Sequence, residues 1–207
     1  MLFRRLVITL SLLLIAGFAQ AQSIGDDGLH KQPWLVASTG DIRLDLSAAA
    51  ADGKDLIVLV EQQGCTYCAQ LHAVNFTRSE ITDLVTSRFR VVQLDLWGKA
   101  DIIDFDGDEV TQQALLSRWD VNTTPTTMVL SAAKPVTKLA DAEIFRLPGY
   151  LKPFYYLGAL EFFTTGAYAD QEFRDFFAPR VAALEAKGLD PEQWQFHRQV
   201  ELSGRKT

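Results

Sequence analysis

The chain's only two cysteines stand two residues apart, in Gly64-Cys65-Thr66-Tyr67-Cys68. A framework of structural disulfides draws on several cysteines spread along a chain, whereas a lone C-x-x-C suits a dithiol that opens and closes. A static clip is the weaker alternative, because closing so short a loop removes little entropy from the unfolded chain. The chemistry indicated is therefore thiol-disulfide exchange. If Cys65 opens a helix, it faces backbone N–H groups that have no intrahelical partner, and the positive end of the helix dipole favours its thiolate. Cys65 is then the attacking nucleophile. Cys68, one turn further in and more buried, resolves the mixed disulfide and releases the partner's thiol.

Other residues with chemical potential are weighed against that pair. Thiolates also hold soft metals such as Cu(I), which makes a metal-carrying module the rival from another class, but no Met or His adjoins the cysteines to complete such a site. His30 and His197 lie near opposite ends, and no Cys2His2 spacing is present. His72 falls seven residues after Cys65, about 10 Å along a helix axis, and is expected to be a packed or half-exposed helix residue. Glu61, four residues before Cys65, is a candidate proton relay through water, although a glutamate at a strand end is expected to be solvated. Asp101, Asp104, Asp106, Asp108 and Glu109 form an acidic cluster whose glycine does not fall at the sixth position of a calcium loop. It reads as a solvated loop beside the site, long enough to suggest a part in partner recognition.

The elements that must position the pair follow from pattern. Leu56-Ile57-Val58-Leu59-Val60 is an unbroken apolar run that suits a strand buried on both faces. The C-x-x-C opens the next helix, predicted to reach Asn75, and a second helix runs from Ser79 to about Ser87. Val91 to Leu96 is a strand. A small hairpin turns at Asp106-Gly107, between Ile102–Phe105 and Glu109–Thr111. Gln112 to Trp119 is helical, and Thr126 to Leu130 is a strand that begins after a proline. Ile144 to Leu147 adds another strand. An aromatic helix from Pro153 and a last helix from about Asp170 to Lys187 close the pattern, and the spacing of those aromatics marks core packing. A short Ala-rich helix, Asp45 to Asp52, precedes the first strand and stops at Gly53. The sum is α/β, a central mixed sheet with helices on both faces and a C-terminal helical extension.

Residues 1–21 place Arg4 and Arg5 ahead of a short apolar stretch and end in Ala19-Gln20-Ala21, the pattern of a cleaved secretory signal. The stretch is too short for the roughly 20 residues that cross a bilayer, so no stable membrane insertion is expected after cleavage, and the mature protein is placed in the periplasm. Residues 22–33 read as an N-terminal linker that tethers loosely, 34–187 as one domain with its C-terminal helices, and 188–207 as a polar tail. The chain carries 20 basic and 26 acidic side chains, and both basic residues of the leader leave with it. The acidic remainder disfavours nucleic acid as a partner.

A strand, a C-x-x-C helix and, far downstream, Thr123-Thr124-Pro125-Thr126 entering a strand together resemble the thioredoxin superfamily over roughly Leu56 to Tyr150. The resemblance implies a thioredoxin-like fold in which Pro125 is cis and faces the dithiol. It further implies that Thr124 pairs by its backbone with the partner's extended chain, with Thr66 and Tyr67 also on the substrate-binding surface. Glu61-Gln62-Gln63-Gly64-Cys65-Thr66-Tyr67-Cys68, Leu94-Asp95-Leu96-Trp97-Gly98, Thr124-Pro125-Thr126 and Arg146-Leu147-Pro148-Gly149-Tyr150 with Pro153 look more narrowly like the SoxW-type periplasmic thioredoxins linked to sulfur oxidation. That likeness implies a reductant of a periplasmic protein disulfide, supplied with electrons by a membrane thiol transporter, with no cofactor beyond the Cys65–Cys68 couple. C-x-x-C potentials run from about −270 to −120 mV on one fold, so an oxidant or isomerase stands as the alternative direction. Two departures bear on mechanism. The superfamily's usual Trp-Cys-Gly-Pro-Cys is absent, and the buried aspartate expected six residues before the first cysteine is Leu59, which leaves Cys68 without its usual base.

Overall fold

The computed structural model describes residues 23–193. The expected leader and the end of the polar tail lie outside the described residues. At the centre is a four-stranded mixed sheet of β3 (Asp55–Glu61), β4 (Phe89–Asp95), β7 (Thr126–Leu130) and β8 (Glu143–Pro148) in the order β4-β3-β7-β8. β3 and β4 are parallel, and β7 and β8 add antiparallel. From Leu56 to Val60, β3 is nowhere more than 2 % exposed. An uninterrupted apolar run is what a strand with helices on both faces requires.

Alternation along β3 divides the core in two. Leu56, Val58 and Val60 face a cluster closed by α1 (Ile42–Ala51) and α4 (Gln112–Arg118), with Ile42, Leu46, Leu115 and Leu116 at its centre. Ile57 and Leu59 face the other cluster, where Leu71, Ile81, Val85, Tyr156 and Leu160 come from α3 (Ser79–Arg88), α6 (Pro153–Thr164) and the C-x-x-C helix. That last helix is α2 (Thr66–Gln70), which runs without a break into a π-helical turn at Leu71–Asn75. Such a turn often marks a functional stretch of helix. A hairpin of β5 (Asp101–Ile103) and β6 (Glu109–Thr111) precedes α4. After β7, a short α5 (Leu139–Ala142) leads into β8, and α7 (Phe173–Glu185) packs its aromatic face on α6.

Two expectations are corrected here. Residues 23–31, read as loose linker, form an antiparallel hairpin of β1 (Ser23–Ile24) and β2 (His30–Lys31) with Leu29 buried between the strands. The chain then docks on the free edge of β4, where the Val36 N–H donates to the Val91 carbonyl at 2.9 Å. The hairpin holds because its polar groups find partners in the domain: Lys31 Nζ donates to Gln93 Oε1 at 2.7 Å, and Gln93 Nε2 donates to the His30 carbonyl at 2.8 Å. The acidic loop is not wholly solvated either. Asp104 is buried and accepts the Trp119 indole N–H at 3.2 Å, while Arg118 lies 3.2 to 3.9 Å from Asp104, Asp106 and Asp108. A buried carboxylate is retained where hydrogen bonds and a counter-charge replace its water.

Candidate active site

Cys65 is the N-cap of α2, with extended backbone, and its sulfur accepts the Cys68 N–H at 3.0 Å. Gly64, just before it, has φ +74° and supplies the left-handed residue that lets the chain turn from β3 into the helix. Cys65 and Cys68 are joined as a disulfide. Their surroundings differ. Cys65 is 8 % exposed, while Cys68 is fully buried. The intervening Thr66 and Tyr67 are exposed, and the Tyr67 ring stacks on Tyr150 with centroids 6.0 Å apart.

The Thr124–Pro125 bond is cis. It brings the loop before β7 against the dithiol, where the Thr124 hydroxyl donates to Cys65 Sγ at 3.4 Å. Pro125 is buried and Thr124 half-buried, and the Gly149 N–H, just past β8, closes the loop on the Pro125 carbonyl at 2.8 Å. Beside this loop lies a cleft of about 260 Å³ between Leu96, Trp97 and the turn Asp120–Asn122, floored by Gln113 and Ser117 of α4. Trp97 is 59 % exposed, and its indole N–H donates to Gln62 Oε1 at 3.0 Å, which ties the rim of the cleft to the segment leading into Cys65.

Glu61 is where the sequence reading needs correction. It is fully buried rather than solvated. As the last residue of β3 it lies on the same face as Ile57 and Leu59, the face that α2 and the π-helical turn cover. Its Oε1 is 3.0 Å from His72 Nε2, and its Oε2 accepts from Gln93 Nε2. His72 is 1 % exposed and sits one turn after Cys68 on the helix's inner face; its Nδ1 is 3.2 Å from Gln32 Nε2. His30 and Phe76 border its ring at 5.4 and 5.1 Å between centroids. From sequence, Glu61 is a candidate proton relay and His72 a packed or half-exposed helix residue, and nothing there joins the two. The available signal was spacing: Glu61 follows Leu59 by two on a buried strand, and His72 follows Cys68 by four on a helix.

Burial sets the acid-base character of the neighbours. The Tyr156 hydroxyl is pushed up to about 12, chiefly by burial and against the lowering effect of its hydrogen bond with Thr127, while the Glu61 charge adds to the rise. Tyr156 therefore stays protonated across the working range. His30 is held below the usual imidazole range by burial first and then by His72, with Glu61 opposing. Burial also raises the Tyr150 phenol. Among the described residues no group of three or more His, Cys, Asp or Glu is placed to hold a metal ion, and no helix is long and apolar enough to cross a membrane.

A family model described as a thioredoxin-like domain matches residues 42–164. Solved structures with a similar fold include a thioredoxin-fold protein from Helicobacter pylori, 18 % identical with a TM-score of 0.48 over 70 % of this chain and 85 % of that one. A thioredoxin from Thermus thermophilus is 22 % identical with a TM-score of 0.49 over 63 % and 88 % of the two chains. The oxidised C-terminal domain of DsbD from Neisseria meningitidis is 17 % identical with a TM-score of 0.40 over 60 % and 90 %. No curated protein matches the sequence.

Proposed function

This chain belongs to the thioredoxin-like domain family, and from that premise we propose that it is a periplasmic thiol-disulfide oxidoreductase that reduces disulfides in a partner protein. The observation that carries the reading is the asymmetry of the two sulfurs. Cys65 caps the helix under the Thr124 hydroxyl with 8 % of its surface still open, whereas Cys68 is fully buried one turn behind it. In the reduced protein the Cys65 thiolate, stabilised by the Cys68 N–H and the helix start, attacks one sulfur of the partner's disulfide. A mixed disulfide forms and the partner's other sulfur leaves as a thiolate. Cys68 then loses its proton and attacks Cys65 Sγ, closing the Cys65–Cys68 bond and releasing the second partner thiol. Two electrons pass from the dithiol to the partner.

Thr124 and Pro125 orient the partner's extended chain against Cys65, with Thr66 and Tyr67 on the rim and the Trp97 cleft receiving a neighbouring side chain. Glu61 receives the proton of Cys68 through water. It is a buried carboxylate two residues beyond Leu59, on the β3 face that the dithiol helix covers. A membrane thiol transporter resupplies electrons, and the resemblance of the sequence blocks to those of SoxW-type proteins supports service to sulfur oxidation.

Trapping tests the role assignment. Cys65→Ala abolishes insulin reduction. Cys68→Ser, mixed with an oxidised partner, accumulates an adduct that dithiothreitol releases, and absence of any adduct would sink the assignment. The Cys65–Cys68 potential tests direction: a value near −270 mV supports a reductant, and one near −120 mV an oxidant.

A further inference from the structure

We infer that His72, Gln32 and Gln93 are positioning residues that hold Glu61 as a proton-accepting carboxylate, and that the N-terminal hairpin thereby forms part of the redox site. This rests on the oxidoreductase reading and adds to it a set of groups that never touch the partner.

The donors and acceptors fix the protonation states. The Gln93 carbonyl oxygen faces the N-terminal hairpin, where Lys31 Nζ donates to Oε1 at 2.7 Å. The amide nitrogen therefore points the other way, toward two acceptors: the His30 carbonyl at 2.8 Å and Glu61 Oε2. An oxygen that receives an amide N–H is an acceptor. On the second side, Gln32 Nε2 can only donate, so His72 Nδ1 must accept from it and the proton of the neutral ring is on Nε2. That Nε2–H donates to Glu61 Oε1 at 3.0 Å. Glu61 thus accepts a donor on each oxygen, an arrangement that suits a carboxylate.

Each link is placed by the fold. Gln93 stands opposite Leu59 in the parallel register of β3 and β4, on the face that carries Glu61. Gln32 directly follows β2, so the hairpin must dock for the imidazole to be oriented. The π-helical turn carries His72 to the buried carboxylate one turn beyond Cys68. The titratable and charged groups around Glu61 are His72 on that turn, His30 and Lys31 on β2, Asp95 at the same register on β4, and Tyr156 on α6, with Cys68 one turn before His72 on the same helix. Tyr156 is protonated throughout, and Lys31 acts through Gln93.

In the resolving step the Cys68 S–H bond breaks, its proton passes through water to form an O–H bond on Glu61, and the freed electron pair forms the bond to Cys65 Sγ as the partner's thiolate leaves. Hydrogen bonds to the charged form of a carboxylate favour it, and the His72 and Gln93 donors hold one Glu61 oxygen each.

The rate of mixed-disulfide resolution, followed against pH in the full chain, tests this. His72→Leu and Gln93→Leu each move the midpoint of the profile up by about one pH unit. His72→Gln keeps a donor at the Nε2 position and restores the wild-type midpoint, an outcome that a purely structural histidine would not give. Gln32→Leu frees the tautomer and moves the midpoint in the same direction by less. Nitrogen-15 shifts of the His72 ring in the unmutated protein provide the arm that needs no variant: a neutral ring protonated on Nε2 is expected. A ring protonated on Nδ1, or variants that reduce disulfides with the wild-type pH profile, would overturn the inference. A Cys68→Ser protein that forms no adduct through Cys65 would instead overturn the oxidoreductase reading.

Discussion

Leu59 is closed in from both sides of β3, with Gln93 opposite on β4 and Thr127 opposite on β7, and no part of it reaches solvent. An aspartate there would lie two residues from Glu61 on the same buried face, with its nearest polar neighbours already engaged, Gln93 by Glu61 and Thr127 by Tyr156. Leu59→Asp is therefore expected to destabilise the fold by about 3 kcal/mol, from desolvation and like-charge repulsion. Urea unfolding at pH 8 measures it, and the deficit should shrink as the pH falls, because a protonated carboxyl costs less to bury. A variant as stable as wild type would show an unoccupied partner near Leu59. The same residues show why the site was half legible. Cys65, Cys68, Thr124 and Pro125 sit in short motifs whose chemistry depends on neighbours in sequence. Glu61 and His72 gain their roles from Gln93 and Gln32, 32 and 40 residues away along the chain. The local pattern of a strand-end glutamate or a helical histidine does not contain such partners.

At the level of elements, burial period and turn chemistry carried most of the reading. β7 runs over Thr126–Leu130, the bounds that Pro125 and the apolar run imply, and the β5–β6 hairpin turns at Asp106-Gly107. The start of α1 was less legible. It begins at Ile42, earlier than the Ala-rich stretch suggests, because Asp41 caps it: the Asp41 carboxylate accepts from the Arg43 N–H and from Arg43 Nε, each at 2.9 Å. The Arg43 guanidinium holds the Asp41 carboxyl below the usual carboxylate range, against the opposing effect of burial and with help from the Arg43 backbone N–H. A carboxyl whose folded pKa is lowered stabilises the fold above its unfolded value of about 4 and loses that contribution as the pH falls through the folded value. Asp41→Ala should cost about 1 kcal/mol at pH 7. Unfolding compared from pH 7 to pH 2.5 should show the gap to wild type closing on the acid side, and a gap that stays constant would assign the loss to the cap's shape alone.

Across the whole molecule, the two additions to the central sheet are attached by different physics, which separates stability from redox tuning. The N-terminal hairpin reaches the domain through polar groups, with Lys31 on Gln93, Gln93 on Glu61 and Gln32 on His72. α7 is held by rings: Phe177 is 6 % exposed and lies against Phe154, Tyr155 and Phe173. Gly158 of α6 leaves the room for it, since a Cβ at that position would stand 2.6 Å from Phe177 Cδ2. Phe177→Ala removes an aromatic ring from a closed contact and should cost about 3 kcal/mol, the low end for a buried phenylalanine, because the site lies near the surface and can partly collapse. No polar link joins Phe177 to the buried carboxylate. The Cys65–Cys68 potential, measured by equilibration with glutathione, should therefore stay at its wild-type value in Phe177→Ala while the unfolding midpoint drops. Gln32→Leu should show the reverse, a shifted pH profile with little change in unfolding. If Phe177→Ala moved the potential as well, the aromatic extension would be coupled to the dithiol through α6 and Tyr156, and stability and redox poise would be one property of this fold instead of two.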